Sequence, residues 1–280
     1  MPQPERRAAV GTVTGVRRPP PPFRVARVED WIERSARLTR VELGGPDLVG
    51  LRVEMPAASV RLLLPEPSGL VLPEWSGNEF LLPDGRRPTI RTLTPLDADA
   101  ERGRLAVEIV RHGRGALDDW LTTLRPGGPV AVSGPGRGYV VGEAAEGFLL
   151  AGDEAALPAI GQLASVVGSR AKTRILVELA DASGRLDLGS PAEFVERRPT
   201  ARPGSALVAA LGAVDLPAGW HVWVAGEAAA VQRIRRILFD EHGVGRDRVA
   251  AHGYWQLKDS SGAPESHRMY PGSPGMLGEE

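Results

Sequence analysis

FLLAGDEAALPAI, residues 148–160, is the stretch on which the reading of the fold turns. Phe148, Leu149 and Leu150 form a short apolar run of the kind buried in a parallel sheet, Gly152 supplies a sharp turn, and Asp153 and Glu154 stand where a helix N-terminus begins. Such a strand–glycine–helix junction turns backbone N–H groups towards a crevice, where phosphates and dinucleotides bind. Any parallel-sheet protein contains several such junctions, and many bind nothing. The flanking sequence has to decide.

Downstream, strands and helices alternate. After the strand 148–151 come a helix over 155–167, a strand over 174–179, a short helix over 191–197, another over 206–211 and the strand HVWVA, 221–225. Gly226 turns that strand, Glu227 opens a helix running to His242, and Gly243 stops it. Val231, Ile234 and Leu238 form the apolar stripe of this helix, leaving Arg233 and Arg236 elsewhere on its circumference. A last strand follows over 249–254. This alternation predicts a parallel, right-handed, doubly wound domain over 147–258.

Upstream the period is two. Short alternating segments at 24–28, 38–43, 60–64, 89–93, 104–110 and 129–132 are separated by turn clusters such as GGPD (44–47), PEPSG (65–69) and PDG (83–85). In the fifth, Leu105, Val107 and Ile109 face one way and Ala106, Glu108 and Val110 the other. Six short strands with no long helical pattern between them predict a small antiparallel barrel or sandwich over 23–142. Residues 1–22, ending in four prolines, are expected to form a disordered arm, and the Gly-, Ser- and Pro-rich residues 259–280 a disordered tail.

A chain of 280 residues accommodates two such domains. The formal net charge of −1 argues against a nucleic-acid binder that relies on a basic surface. With no cysteine in the chain, disulfides, thiolate metal sites and cysteine nucleophiles are excluded. No apolar run approaches the roughly 20 residues that span a bilayer. The expectation is a soluble cytoplasmic protein, a monomer or weak dimer, with no membrane insertion.

A β-barrel followed by a βα dinucleotide-type domain is the order of ferredoxin-reductase-like flavoproteins, and local motifs narrow this. LLAGDEAALPAI resembles the LLAGDETALPAI signature of the siderophore-interacting protein family, NAD(P)H-dependent flavin reductases of ferric siderophores. WVAGEAAAVQRIRRIL (223–238) resembles the same family's WVAGE segment and helix. GYW (253–255) is similar to its GYWR, LGGPDL (43–48) to its early hairpin, and RHGRGALDDW (111–120) to its HG…GPAS.W loop. The resemblance covers about residues 23–258. It implies an N-terminal antiparallel FAD-binding β-barrel and a C-terminal parallel-sheet NAD(P)H-binding domain.

The resemblance also implies roles. RTLT, residues 91–94, matches the family's RxYT strand: Arg91 would pair with the FAD pyrophosphate, with Thr92 and Leu93 along the flavin and Thr94 facing its N5 edge. The alternative, that Arg91 is a surface charge beside Arg86 and Arg87, is the less favoured reading. Leu93 stands where the family has an aromatic residue and Leu96 where a second Arg is common. The loop His112, Gly113, Gly115, Ala116, Asp118, Trp120 would wrap the pyrophosphate through backbone N–H groups, and Asp118 there is repulsive unless it points away. His112 has no partner at metal-ligand or catalytic-base spacing and reads as part of the loop.

The nicotinamide nucleotide, NADPH or NADH, would lie against Gly152, Asp153 and Glu154, the Ala225, Gly226, Glu227 turn and Trp255. Arg233 or Arg236 would meet a 2′-phosphate, or else face solvent. Ala155 replaces the family's Thr. Arg61, Arg137 and Lys258 would bind the anionic chelate, Gln256 standing at the Arg of GYWR. No metal ligands and no side-chain nucleophile or base are implied, because the flavin carries the chemistry. The resulting reading is a ferric-siderophore reductase. The alternatives are a siderophore-binding module with weak or lost flavin binding, and a flavin reductase serving another acceptor.

Overall fold

The computed structural model describes residues 19–142 and 145–257. Residues 1–18 and 258–280, and with them most of the expected arm and the whole expected tail, lie outside the described residues. Pro21 is held in place, its carbonyl accepting from the Ser133 hydroxyl at 2.5 Å.

The first half is an antiparallel sheet. Its strands are β1 (Arg24–Ser35), β2 (Leu38–Gly44), β3 (Val60–Leu63), β6 (Ile90–Leu93), β7 (Pro95–Asp99), β8 (Arg104–Val110) and β9 (Pro129–Ser133), in the order β6-β3-β9-β1-β2-β8-β7. A separate hairpin of β4 (Glu74–Trp75) and β5 (Phe80–Leu81) packs Phe80 edge-on against both Trp75 and Phe23. The sheet curls until β6 approaches β8. Period-two positions close the interior: Val41, Leu43, Val60, Leu62, Leu105, Val107, Ile109, Val130 and Val132 are all buried in one cluster. Each such side chain contributes roughly 1.5–3 kcal/mol relative to exposure.

β7 escapes the sequence reading for a physical reason. It starts at a proline, carries Asp97 at φ +44° and slips register between Leu96 and Asp99, so its pattern is that of a bulged, polar strand at the sheet's end.

The second half is a parallel sheet of β10 (Gly147–Asp153), β11 (Lys172–Leu179), β12 (Ala192–Glu196), β13 (Trp220–Glu227) and β14 (Val249–Trp255), ordered β12-β11-β10-β13-β14. A short helix, α1 (Ala116–Leu121), belongs to the barrel; here the helices are α2 (Leu157–Val167), α3 (Ser205–Gly212) and α4 (Ala228–Arg236). α2 covers one face with Phe148, Leu150, Ile175, Val177 and Trp223, while α3 and α4 cover the other with Leu149, Leu176, Val222 and Val224. One expectation is corrected: 191–197 is not a helix. AEFVE pairs in parallel with β11, Ile175 opposite Ala192. Phe194 packs on the α2 side and Val195 on the other, so the segment is an edge strand that uses both faces, and Pro191 precedes a strand rather than opening a helix.

Gly152 is required by space. A Cβ there would lie 2.4 Å from the Ala156 Cβ and 2.6 Å from the Ala225 carbonyl, so the tight turn admits no side chain. A short 3₁₀ turn over Glu154–Ala156 leads into α2, and α4 continues as a π turn through Glu241 before Gly243 at φ +63°.

Three contacts lock the domains together. Arg37, in the β1–β2 turn, binds Glu154 through Nε (2.6 Å) and Nη2 (3.1 Å). Gln162 on α2 accepts from the Ala57 N–H at 3.0 Å and donates to the Pro95 carbonyl at 2.7 Å. Thr94, at the end of β6, shares a hydrogen bond with the Tyr254 side chain on β14. Among the described residues no helix is long and apolar enough to cross a membrane.

Candidate functional site

The strand order reverses at β10, with β11 on one side and β13 on the other, so the crevice beyond the carboxyl ends of β10 and β13 is the topological switch point where such sheets bind ligands. Asp153 ends β10 and Glu227 ends β13. Asp153 is buried and accepts three hydrogen bonds, from Ala155 N (3.0 Å), Glu227 N (2.9 Å) and the Trp255 indole Nε1 (2.7 Å). Burial nevertheless pushes its carboxyl up to about 6, with the three donors pulling down and the Glu178 charge pushing up. Gly226 leaves room for it, since a Cβ there would stand 2.7 Å from Asp153 Oδ2.

Glu227 caps α4 by accepting from Ala230 N and holds the outgoing chain through Leu257 N. Two carboxylates of the chain itself thus occupy the helix-start donors at the switch point. The Trp255 ring, 37% exposed, borders them.

Glu154, the next expected nucleotide contact, is engaged with Arg37, which its hydrogen bonds hold above the ordinary guanidinium value. Ala225 is buried in β13, and Arg233 is exposed on α4, away from the buried Val231, Ile234 and Leu238.

On the barrel side, register sorts the RTLT residues by face. Arg91 lies opposite Leu62 and Leu93 opposite Val60, so both share the face of the barrel core, against which Leu93 packs. Arg91 is half-buried, and its Nη1 donates to the Ile90 carbonyl. Thr92 is exposed on the other face, directly opposite Arg61. Thr94 is buried at the domain boundary, and burial drives the phenol of its partner Tyr254 well above the usual range.

The loop leading to α1 has Gly113 at φ +79° and Gly115 at φ +86°. Ala116 and Trp120 pack on the barrel core. Asp118 folds back: its carboxylate accepts from His112 N (3.2 Å) and Gly113 N (3.1 Å) and lies 3.1 Å from His112 Nδ1. Sequence spacing assigned His112 no partner; the folded loop supplies one, because a turn of α1 returns position 118 to the loop's start.

Arg61 is half-buried, and desolvation lowers its guanidinium from the ordinary value. Arg137 is exposed in a loop laid against the segment before β3, with Gly136 N bonded to Ser59 O and Tyr139 N to Pro56 O. Lys258 lies outside the described residues. Arg37, Gln162 and Tyr254 were not foreseen as site-forming. Only Tyr254, inside GYW, stood in a motif; the other two act across 67 residues or more.

The model of the siderophore-interacting FAD-binding domain matches residues 25–139, and that of siderophore-interacting protein matches 145–258. The ferric vibriobactin reductase ViuB of Vibrio cholerae is 28% identical over 242 residues, covering 82% of this chain and 89% of that protein. Among solved structures, a siderophore utilization protein from T. fusca is 32% identical with a TM-score of 0.75, covering 89% of this chain and 97% of that one. The siderophore-interacting protein SipS from Aeromonas hydrophila is 27% identical with a TM-score of 0.71, over 86% and 94%. Phthalate dioxygenase reductase, 15% identical with a TM-score of 0.61, shares the fold.

Proposed function

Because the chain belongs to the siderophore-interacting protein family, we propose that it is an FAD- and NAD(P)H-dependent ferric-siderophore reductase acting in the cytoplasm. The observation that carries the reading is the junction of the two halves. The end of β6, at Thr94, is bonded to Tyr254 of the parallel sheet's last strand, beside the switch-point crevice of Asp153, Glu227 and Trp255. A nucleotide in that crevice and a flavin along β6 would meet at one boundary.

The β6 residues fit a flavin: a half-buried guanidinium at Arg91, the apolar Leu93 on the same face, and a buried hydroxyl at Thr94. FAD held by Arg91, Leu93 and Thr94 would supply two-electron chemistry towards the nicotinamide and one-electron chemistry towards Fe(III). The chain's own part is position and electrostatics. Arg37, Glu154 and Gln162 hold the two domains at fixed separation, Trp255 and Asp153 shape the nucleotide side, and Arg91 supplies positive charge along β6. Arg61 in β3 and Arg137 in the loop after β9, which lies against the segment before β3, present cationic charge to an anionic, oxygen-rich chelate. Reduction to Fe(II) weakens hard oxygen ligation, and the iron leaves.

The test is anaerobic. Protein supplied with FAD and NADPH is mixed with a ferric siderophore in the presence of a ferrous trap. Colour in the trap that depends on protein is the expected result, and Arg61→Ala and Arg137→Ala should raise KM for the chelate while leaving flavin reduction by NADPH unchanged. Flavin reduction without any chelate reduction would move the protein to another acceptor.

A further inference from the structure

We propose that Asp118 is a built-in anion that occupies the flavin loop, so that the protein grips its flavin by the ring and ribityl end and gains little from the pyrophosphate of FAD. The inference rests on the flavin reading above and adds which part of the cofactor is recognised.

The loop is an anion-binding nest by its own conformation. Gly113 and Gly115 take positive φ, and consecutive backbone N–H groups at 112 and 113 converge on one point. That point is filled. Asp118 Oδ1 accepts from both N–H groups, at 3.2 and 3.1 Å; Oδ2 lies 3.3 Å from His112 N and 3.1 Å from His112 Nδ1. The Asp118 side chain is only 12% exposed, whereas His112 is 50% exposed, so the carboxylate lies within the loop and the imidazole covers it from outside. A pyrophosphate seated there would lose these donors to Asp118 and face its charge at close range. Displacing Asp118 would strip a half-buried carboxylate of three partners. Arg91 is then the remaining positive contribution to the phosphates, and the ring end dominates.

The readout is binding, without turnover. Affinities for FAD and riboflavin are measured by flavin fluorescence on wild type, Asp118→Ser, Asp118→Ala and Asp118→Asn, with near-ultraviolet circular dichroism to check folding. Wild type is expected to prefer FAD over riboflavin by less than tenfold. Asp118→Ser and Asp118→Ala should raise that preference at least fivefold, with riboflavin affinity unmoved. A wild-type preference above tenfold, or a smaller rise or a fall in the variants, overturns the proposal. If Ser and Ala variants fail to fold, Asp118→Asn, which keeps the acceptor and removes the charge, carries the same expectation, and the wild-type ratio stands without any variant. Binding of neither flavin by any folded form brings down the flavin reading itself, and the proposal with it; binding of both with no dependence on position 118 overturns the proposal alone.

Discussion

Asp153 makes stability depend on pH in a direction opposite to that of most carboxylates. Its folded value of about 6 stands above the ordinary 3.8, because burial penalises the charged form more than three donors favour it. Between the two values the folded state binds more protons than the unfolded state, so this group's contribution falls as pH rises through the window. The difference of about two pH units is worth roughly 3 kcal/mol at full ionisation, of which ~2.5 kcal/mol develops between pH 4 and 7.5. Asp153→Asn removes the titration. It also turns an amide NH₂ towards the N–H of Ala155, or towards those of Glu227 and Trp255 together, a constant cost of about 1–3 kcal/mol. Urea unfolding of both proteins, followed by tryptophan fluorescence at half-unit steps from pH 4 to 7.5, isolates the effect, since every other side chain is common to both. The stability of wild type minus that of the variant should decline by ~2.5 kcal/mol across the series. A difference that stays flat, or that grows with pH, would refute the reasoning and mean that the three donors offset or outweigh burial.

The clamp between the domains predicts coupling. A double-mutant cycle of Arg37→Ala and Glu154→Gln, whose side chains are 22% and 12% exposed, should return about 1–3 kcal/mol in urea unfolding, and additive single effects would exclude the pair as a lock. Gly152→Ala drives a methyl to 2.4 Å from Ala156 and should cost about 1–3 kcal/mol or more in thermal melts, an outcome contradicted by a variant as stable as wild type. Tyr254→Phe leaves the buried Thr94 hydroxyl without its cross-domain partner, and a loss of about 0.5–1.5 kcal/mol is expected; no loss would show that Thr94 is satisfied elsewhere.

Much of the fold was legible because local chemistry wrote it. Alternation at 104–110, the apolar run at 148–150 and the glycines at 152, 226 and 243 each constrain their own few residues, and the folded chain uses them as read. Where pattern and position part, the reading failed: AEFVE at an edge needs no strict alternation, and β7 at the end of its sheet hides behind a proline and a bulge. The candidate site divides in the same way. The motifs around 91–94, 111–120, 152–154, 225–227 and 253–255 could be found in one dimension, since each is a contiguous turn or strand end.

What those motifs do to one another could not be found there. By itself the sequence determined two domains and their order, because these follow from periodicity and turn chemistry within a dozen residues. Only the tertiary structure decided that Glu154 is spent on Arg37, 117 residues away, that Asp153 is shared between β13 and Trp255, and that Asp118 turns back into its own loop. Hydrogen bonds form wherever packing brings donors and acceptors within about 3 Å, and that distance is set by the whole fold rather than by separation along the chain.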